Sequence, residues 1–229
     1  MGEIPTTPAP IQPEPIALAD LFDLFVRPAQ FFAGRIALGR KPAVMFVAWV
    51  VGVANVLGII DQKLLQDAFR RSHDFADVLA DMPNPLLWAL ILAAGALGGL
   101  LIYQIGGWWY WVRLDLSGVN DPDSELAHHV QIYAGFVADA PVVLVSLIQT
   151  VRYGNYVSAA YAGAGLLDLA PVIAAFWSVF VSWKGVRAAF PAIRRRPATV
   201  WFLILPCLFF LVIMGAGSAL LVLFSRRSA

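Results

Sequence analysis

The sequence predicts an all-α polytopic membrane protein, a bundle of five transmembrane helices preceded by a cytoplasmic amphipathic helical segment. Three observations predict it. Hydrophobic residues make up 60% of the 229 and charged residues only 14%, with a mean hydropathy of +0.73. Soluble domains carry about 25% charged residues. Five apolar runs each approach the roughly 20 residues a helix needs to cross hydrocarbon. Lys and Arg collect between the runs, as in AFWSVFVSWKGVRAAFPAIRRRPATVWFLILPCLFF, residues 175–210. The net charge of +1 forms no basic face, which argues against a nucleic-acid partner. The single cysteine, Cys207, sits in an apolar run, so an internal disulfide and a cysteine-based zinc site are excluded. It reads as an inert packed residue.

In chain order, residues 1–15 carry Pro5, Pro8, Pro10, Pro13 and Pro15 and almost no core formers, which predicts an extended, disordered tail. Residues 16–41 read as an amphipathic interfacial segment. Leu18, Leu21, Phe22, Phe25, Ala29, Phe32 and Ile36 recur at steps of three and four, with Asp20, Asp23, Arg27 and Gln30 on other faces. A break is expected at Arg27-Pro28, because proline suits a new first turn. The segment should lie flat in the membrane interface or pack on the end of the bundle. Residues 42–229 form the membrane domain, with apolar runs at 43–60, 86–105, 130–151, 166–183 and 200–224. With no water to satisfy the backbone in lipid, each is expected to be a spanning helix.

Orientation follows from the basic residues. Alternate sides of the five runs hold ten against six, which places the N-terminus in the cytoplasm and the C-terminus outside. Arg194, Arg195 and Arg196 then lie in a cytoplasmic turn, flanked by Trp183 and Trp201 at headgroup level. With Phe22, Phe25, Arg27, Pro28 and Phe32 they make a candidate cytoplasmic interface.

Asp139 in FVADAPVVLV is the sharpest chemical candidate. An ionised carboxylate at a helix centre costs about 2.5–3.5 kcal/mol on insertion scales. Pro141 frees a carbonyl near Val137 and is expected to break the helix there. Asp139 beside a broken helix suits a cation or a proton. Alternatively it is a packing contact to Asn55, Gln104 or a tyrosine, in which case Asp139→Leu should leave those partners unpaired. In NDPDSELAHHV, residues 120–130, Asp121, Asp123, Glu125, His128 and His129 are possible metal ligands, with Glu125 and His128 at the i, i+3 spacing of di-iron bundles. The structural reading is preferred: Asp121 as N-cap, Pro122 as first helical residue, Asp123 in the first turn, and no metal. No nucleophile elbow, HExxH, P-loop or dinucleotide fingerprint is present, so neither an enzyme nor a cofactor is expected. Gly95 with Gly99, and Gly215 with Ala219, suit close helix packing.

Taken in order, LFDLFVRPAQFFAGRIALGRKP, the connection LSGVNDPDSELAHHVQIYAGF and the fourth-run ending FWSVFVSWKGVRAAFP resemble the Yip (Ypt/Rab-interacting) family of multi-pass membrane proteins, in particular its prokaryotic branch. The resemblance covers roughly residues 21–224. It implies five spans, a cytoplasmic N-terminus and, with Ala/Arg-rich usage, the inner membrane of a bacterium. Eukaryotic relatives of the family bind prenylated Rab GTPases through an N-terminal region that is here a short proline-rich tail. The function it leaves is a non-catalytic scaffold in the lipid bilayer, recruiting a protein partner or a second copy, or organising lipid. The alternative is a small channel or carrier built on Asp139.

Overall fold

The computed structural model describes residues 18–34, 41–70, 74–162 and 165–215, and among these there are helices and short connections but no strand. Two short helices come first, α1 (Leu18–Val26) and α2 (Pro28–Gly34). A long helix, α3 (Lys41–Arg70), leads through the short α4 (Asp74–Ala80) to α5 (Asn84–Leu116). The next long helix is α6 (Ser124–Tyr153), followed by the short α7 (Tyr156–Tyr161). A 3₁₀ turn, Leu166–Asp168, opens α8 (Leu169–Ala189), and α9 spans Arg195–Gly215. Five of these helices are long and apolar enough to cross a membrane: Ala43–Phe69, Asn84–Leu116, Ser124–Tyr153, Leu166–Ala189 and Arg195–Gly215. The chain is a multi-pass helical membrane protein. The proline-rich tail and the last residues of the expected final run, with Ala219, lie outside the described residues.

Between helices in lipid there is little hydrophobic driving force, so close fit decides which faces meet. The α3–α5 contact shows how. Gly52 on α3 lies against the backbone of Gly95 and Gly99 on α5, and Gly99 lies against the carbonyl of Ala48. A Cβ at any of the three would collide with backbone or with Val53. Trp49 Nε1 crosses the same interface and donates to the Leu92 carbonyl at 2.9 Å. The expected GxxxG packing is present, and its missing half is Gly52.

Helix α6 is the centre of the bundle, packed on α3, α5 and α8 with Val130, Ile132, Tyr133 and Val137 fully buried. It runs unbroken through Pro141, which corrects the expected break. Proline removes one intrahelical donor, but the turns on either side are held by neighbouring helices. The start of α6 also differs from expectation. Trp111 Nε1 donates to the Pro122 carbonyl at 2.9 Å, which keeps Pro122 in the connection. Asp121 has φ 49°, and the N-cap passes to Asp123, whose carboxylate accepts from Leu126 N at 3.0 Å. Acidic residues two apart compete for a cap, and tertiary contacts choose between them.

The connections gather at two ends. At one, Arg194 N donates to the Ser117 carbonyl at 3.3 Å, joining the α5–α6 connection to the α8–α9 turn. At the other, Asp67 of α3 accepts from Phe75 N and Ala76 N at 2.9 and 3.2 Å, capping α4. Asn155 caps α7 through Ser158 N at 2.7 Å, and Gly154 takes the left-handed conformation that ends α6.

Candidate functional site

The α1–α2 hairpin is the best-built feature at the basic end. The break falls at Arg27, where Arg27 N still donates to Asp23 O at 2.7 Å and Gln30 N and Phe31 N turn back to the Arg27 carbonyl. Pro28 begins α2 and is buried. Because the break resets helical register, the apolar residues do not share one stripe. Leu24, Phe31 and Phe32 face the bundle and are buried, Phe25 is half-buried, and Phe22 and Val26 face outward at 67% and 55% exposure. The sequence pattern placed Phe22, Phe25 and Phe32 together and missed Leu24 and Phe31. Phe31 meets Tyr133 edge-on at 5.2 Å and Phe25 meets Phe136 at 6.2 Å. Phe32 occupies the space a side chain at Gly185 would need. Trp177 Nε1 donates to the Phe25 carbonyl at 2.9 Å. The hairpin is therefore fixed to α6 and α8 on one side and presents Phe22 and Val26 outward on α1. Arg27 is exposed at the hairpin break and Arg194, Arg195 and Arg196 in the α8–α9 turn, whereas Trp183 and Trp201 are half-buried.

Asp139 is half-buried on α6, and no described residue pairs with it. The expected constellation does not form. Asn55 is exposed and spends its amide on the Val51 carbonyl of its own helix, at 3.0 Å. Gln104 is exposed elsewhere, in the wall of a recess of about 510 Å³ with Tyr103, Glu125, His128 and His129. That recess holds most of the sequence's possible metal ligands. His128 Nδ1 lies 2.6 Å from the Ser124 carbonyl and its ring leans on Tyr103 at 5.1 Å. Glu125 approaches His129 at 3.9 Å rather than His128. Among the described residues, no three His, Cys, Asp or Glu side chains converge as a metal site would require.

At the end away from the hairpin, a recess of about 400 Å³ opens between α3, α6 and α7. Asp61, Gln149, Tyr156 and Asp168 line it, and no basic side chain is in its wall. Tyr156 OH donates to Asp61 at 2.7 Å, and Gln149 Nε2 donates to Asp168 at 2.7 Å. Gly165 N donates to the second Asp168 oxygen at 2.6 Å. Burial, and then the Asp61 carboxylate, push the Tyr156 hydroxyl far above its ordinary range, so it remains a donor. No motif in the sequence signals this group, because its members lie on separate elements. Arg113, one of the basic residues counted for orientation, lies inside the bundle against Tyr110 and Phe202. No family model, curated protein or solved structure matches this chain.

Proposed function

We propose that this chain is a non-catalytic membrane scaffold, Yip-like in plan, which holds an amphipathic hairpin in the cytoplasmic interface to recruit a partner or organise lipid. One observation carries the reading. The hairpin is bonded and packed to the bundle through Phe31, Phe32 and Trp177, while Phe22 and Val26 are left without protein cover. An apolar outer edge on a fixed helix pair suits the boundary between headgroups and acyl chains. The excess of basic residues at this end supports a cytoplasmic placement in a bacterial inner membrane. A carrier would need a path to Asp139. The polar groups expected beside it, Asn55 and Gln104, do not meet Asp139.

The test is depth. An environment-sensitive dye on Phe22→Cys, in a Cys207→Ala background, should emit as from a headgroup-level site and be quenched by shallow lipid-borne nitroxides. Emission as from bulk water, with no quenching by lipid, would remove the interfacial hairpin.

A further inference from the structure

We infer that a recess between α5, α6, α8 and α9 binds a phosphate-type oxyanion, with Arg113 as its cation. The inference goes beyond the scaffold reading and does not depend on it. Arg113 is in the last turn of α5. Its guanidinium carbon lies 4.8 Å from the centroid of Tyr110 and 4.8 Å from that of Phe202. No carboxylate among the described residues pairs with it. Its Nε is buried without a hydrogen-bond partner. The two rings meet edge-on at 4.8 Å and the guanidinium rests against both, an aromatic contact that leaves its charge and its in-plane donors for something else.

One of those donors has a protein acceptor, and the sequence explains why it is there. Residues Val200–Ile204 form a π-helical turn in which Leu205 N donates to the Val200 carbonyl, five residues back. In a regular α-helix that N–H would have gone to Trp201. In a continued π turn the donor to Trp201 would be residue 206, which is proline and has none. The Trp201 carbonyl is thus released, and Arg113 Nη1 reaches it at 3.4 Å. Single π turns of this kind are frequent at functional sites. The contact fixes the orientation of the guanidinium but does not balance its charge.

The recess beside it has a volume of about 160 Å³, and Tyr110, Arg113, Gln131, Ser178, Ser182 and Phe202 line it. No acid is in the wall, so nothing there balances the charge of Arg113. Tyr110 OH lies 2.9 Å from Ser182 Oγ and also donates to the Ser182 carbonyl at 3.3 Å. With the Tyr110 hydrogen on the carbonyl, the Ser182 hydroxyl donates to the Tyr110 oxygen and can rotate to a stronger acceptor in the recess. The Gln131 side chain is also incompletely satisfied, with a buried Oε1 that has no partner, and its amide can turn to present N–H groups. Arginine, hydroxyl and amide donors together match a tetrahedral oxyanion. Size agrees, since the volume holds a phosphate group but is well below the roughly 300 Å³ at which drug-sized pockets begin.

Depth gives the same answer. Helix α5 has 33 residues. At about 1.5 Å per residue it is some 50 Å long, against about 30 Å of hydrocarbon. Arg113, three residues before its end at Leu116, falls at headgroup level, where lipid phosphates lie. The oxyanion is either such a headgroup or free phosphate.

The full chain, purified in an uncharged maltoside, is titrated separately with short-chain phosphatidylglycerol, short-chain phosphatidylcholine, short-chain diacylglycerol and inorganic phosphate. Thermal unfolding is followed by circular dichroism. A phosphate-bearing compound should raise the midpoint, and diacylglycerol should not. A shift with inorganic phosphate assigns the free ion, and a shift with phospholipid alone assigns the headgroup. Arg113→Met should weaken the effect by about tenfold or more, and Arg113→Lys by less. Should Arg113→Met not fold, Ser182→Ala, which keeps the guanidinium, carries the test with a smaller loss. Diacylglycerol stabilising as well as phosphatidylglycerol would overturn the proposal. So would an absence of any shift in the wild type, or undiminished shifts in the folded variants.

Discussion

At the scale of single residues, Asp139 is the position where the structure most changes the expectation. A packing acid should have partners to lose, and Asp139 has none among the described residues. Asp139→Leu should therefore leave the unfolding midpoint unchanged or raise it, because an unpartnered carboxylate in a span is a cost. Asp139→Asn should be nearly silent in both stability and flux. Loss of a measurable cation or proton flux in liposomes with Asp139→Asn would restore the carrier reading. Tyr156 is the opposite case. Its hydroxyl donates to Asp61 and its ring is buried beside Trp88, with centroids 6.3 Å apart. Tyr156→Phe should cost about 1–2 kcal/mol in denaturant unfolding, since the ring stays and only a hydrogen bond to a charged acceptor is lost. Asp139 was visible in the sequence because a lone charge in an apolar run needs no partner to be noticed. Tyr156, Asp61 and Arg113 were not, because their meaning lies in what faces them from other helices.

At the scale of elements, the α3–α5 contact tests whether close backbone approach holds the bundle. Gly99→Leu and Gly52→Val each put a side chain into backbone that cannot move aside, and should destabilise by about 3 kcal/mol or expel the helix pair from its register. Gly58→Ala is the control. Nothing lies within 4 Å of a Cβ there, and it should be neutral or stabilise by up to about 1 kcal/mol through helix propensity. Equal losses at Gly58 and Gly99 in a denaturation series would mean that general helix effects, not the contact, set stability. Half of this contact was legible as Gly95 and Gly99. Gly52 was not, because nothing in one helix's pattern states which turn of another it meets. The hairpin shows the same limit: its existence and its break at Arg27-Pro28 follow from spacing and proline, but the reset of register put Leu24 and Phe31 inward and Phe22 outward.

At the scale of the whole molecule, the five long apolar helices were legible up to the last described residue, since length and hydropathy are local properties that lipid enforces without tertiary help. The bundle brings the hairpin, the α5–α6 connection and the α8–α9 turn to one end, and the Asp61 recess to the other. The basic excess at the first end predicts that it faces the cytoplasm. Single cysteines at Ala192, in the α8–α9 turn, and at Ala162, after α7, lie at exposed positions on opposite ends. In a Cys207→Ala background, a membrane-impermeant maleimide applied to intact spheroplasts should label Ala162→Cys at once. Ala192→Cys should be labelled only after permeabilisation. Labelling of both from the same side, or of Ala192→Cys alone from outside, would contradict the account.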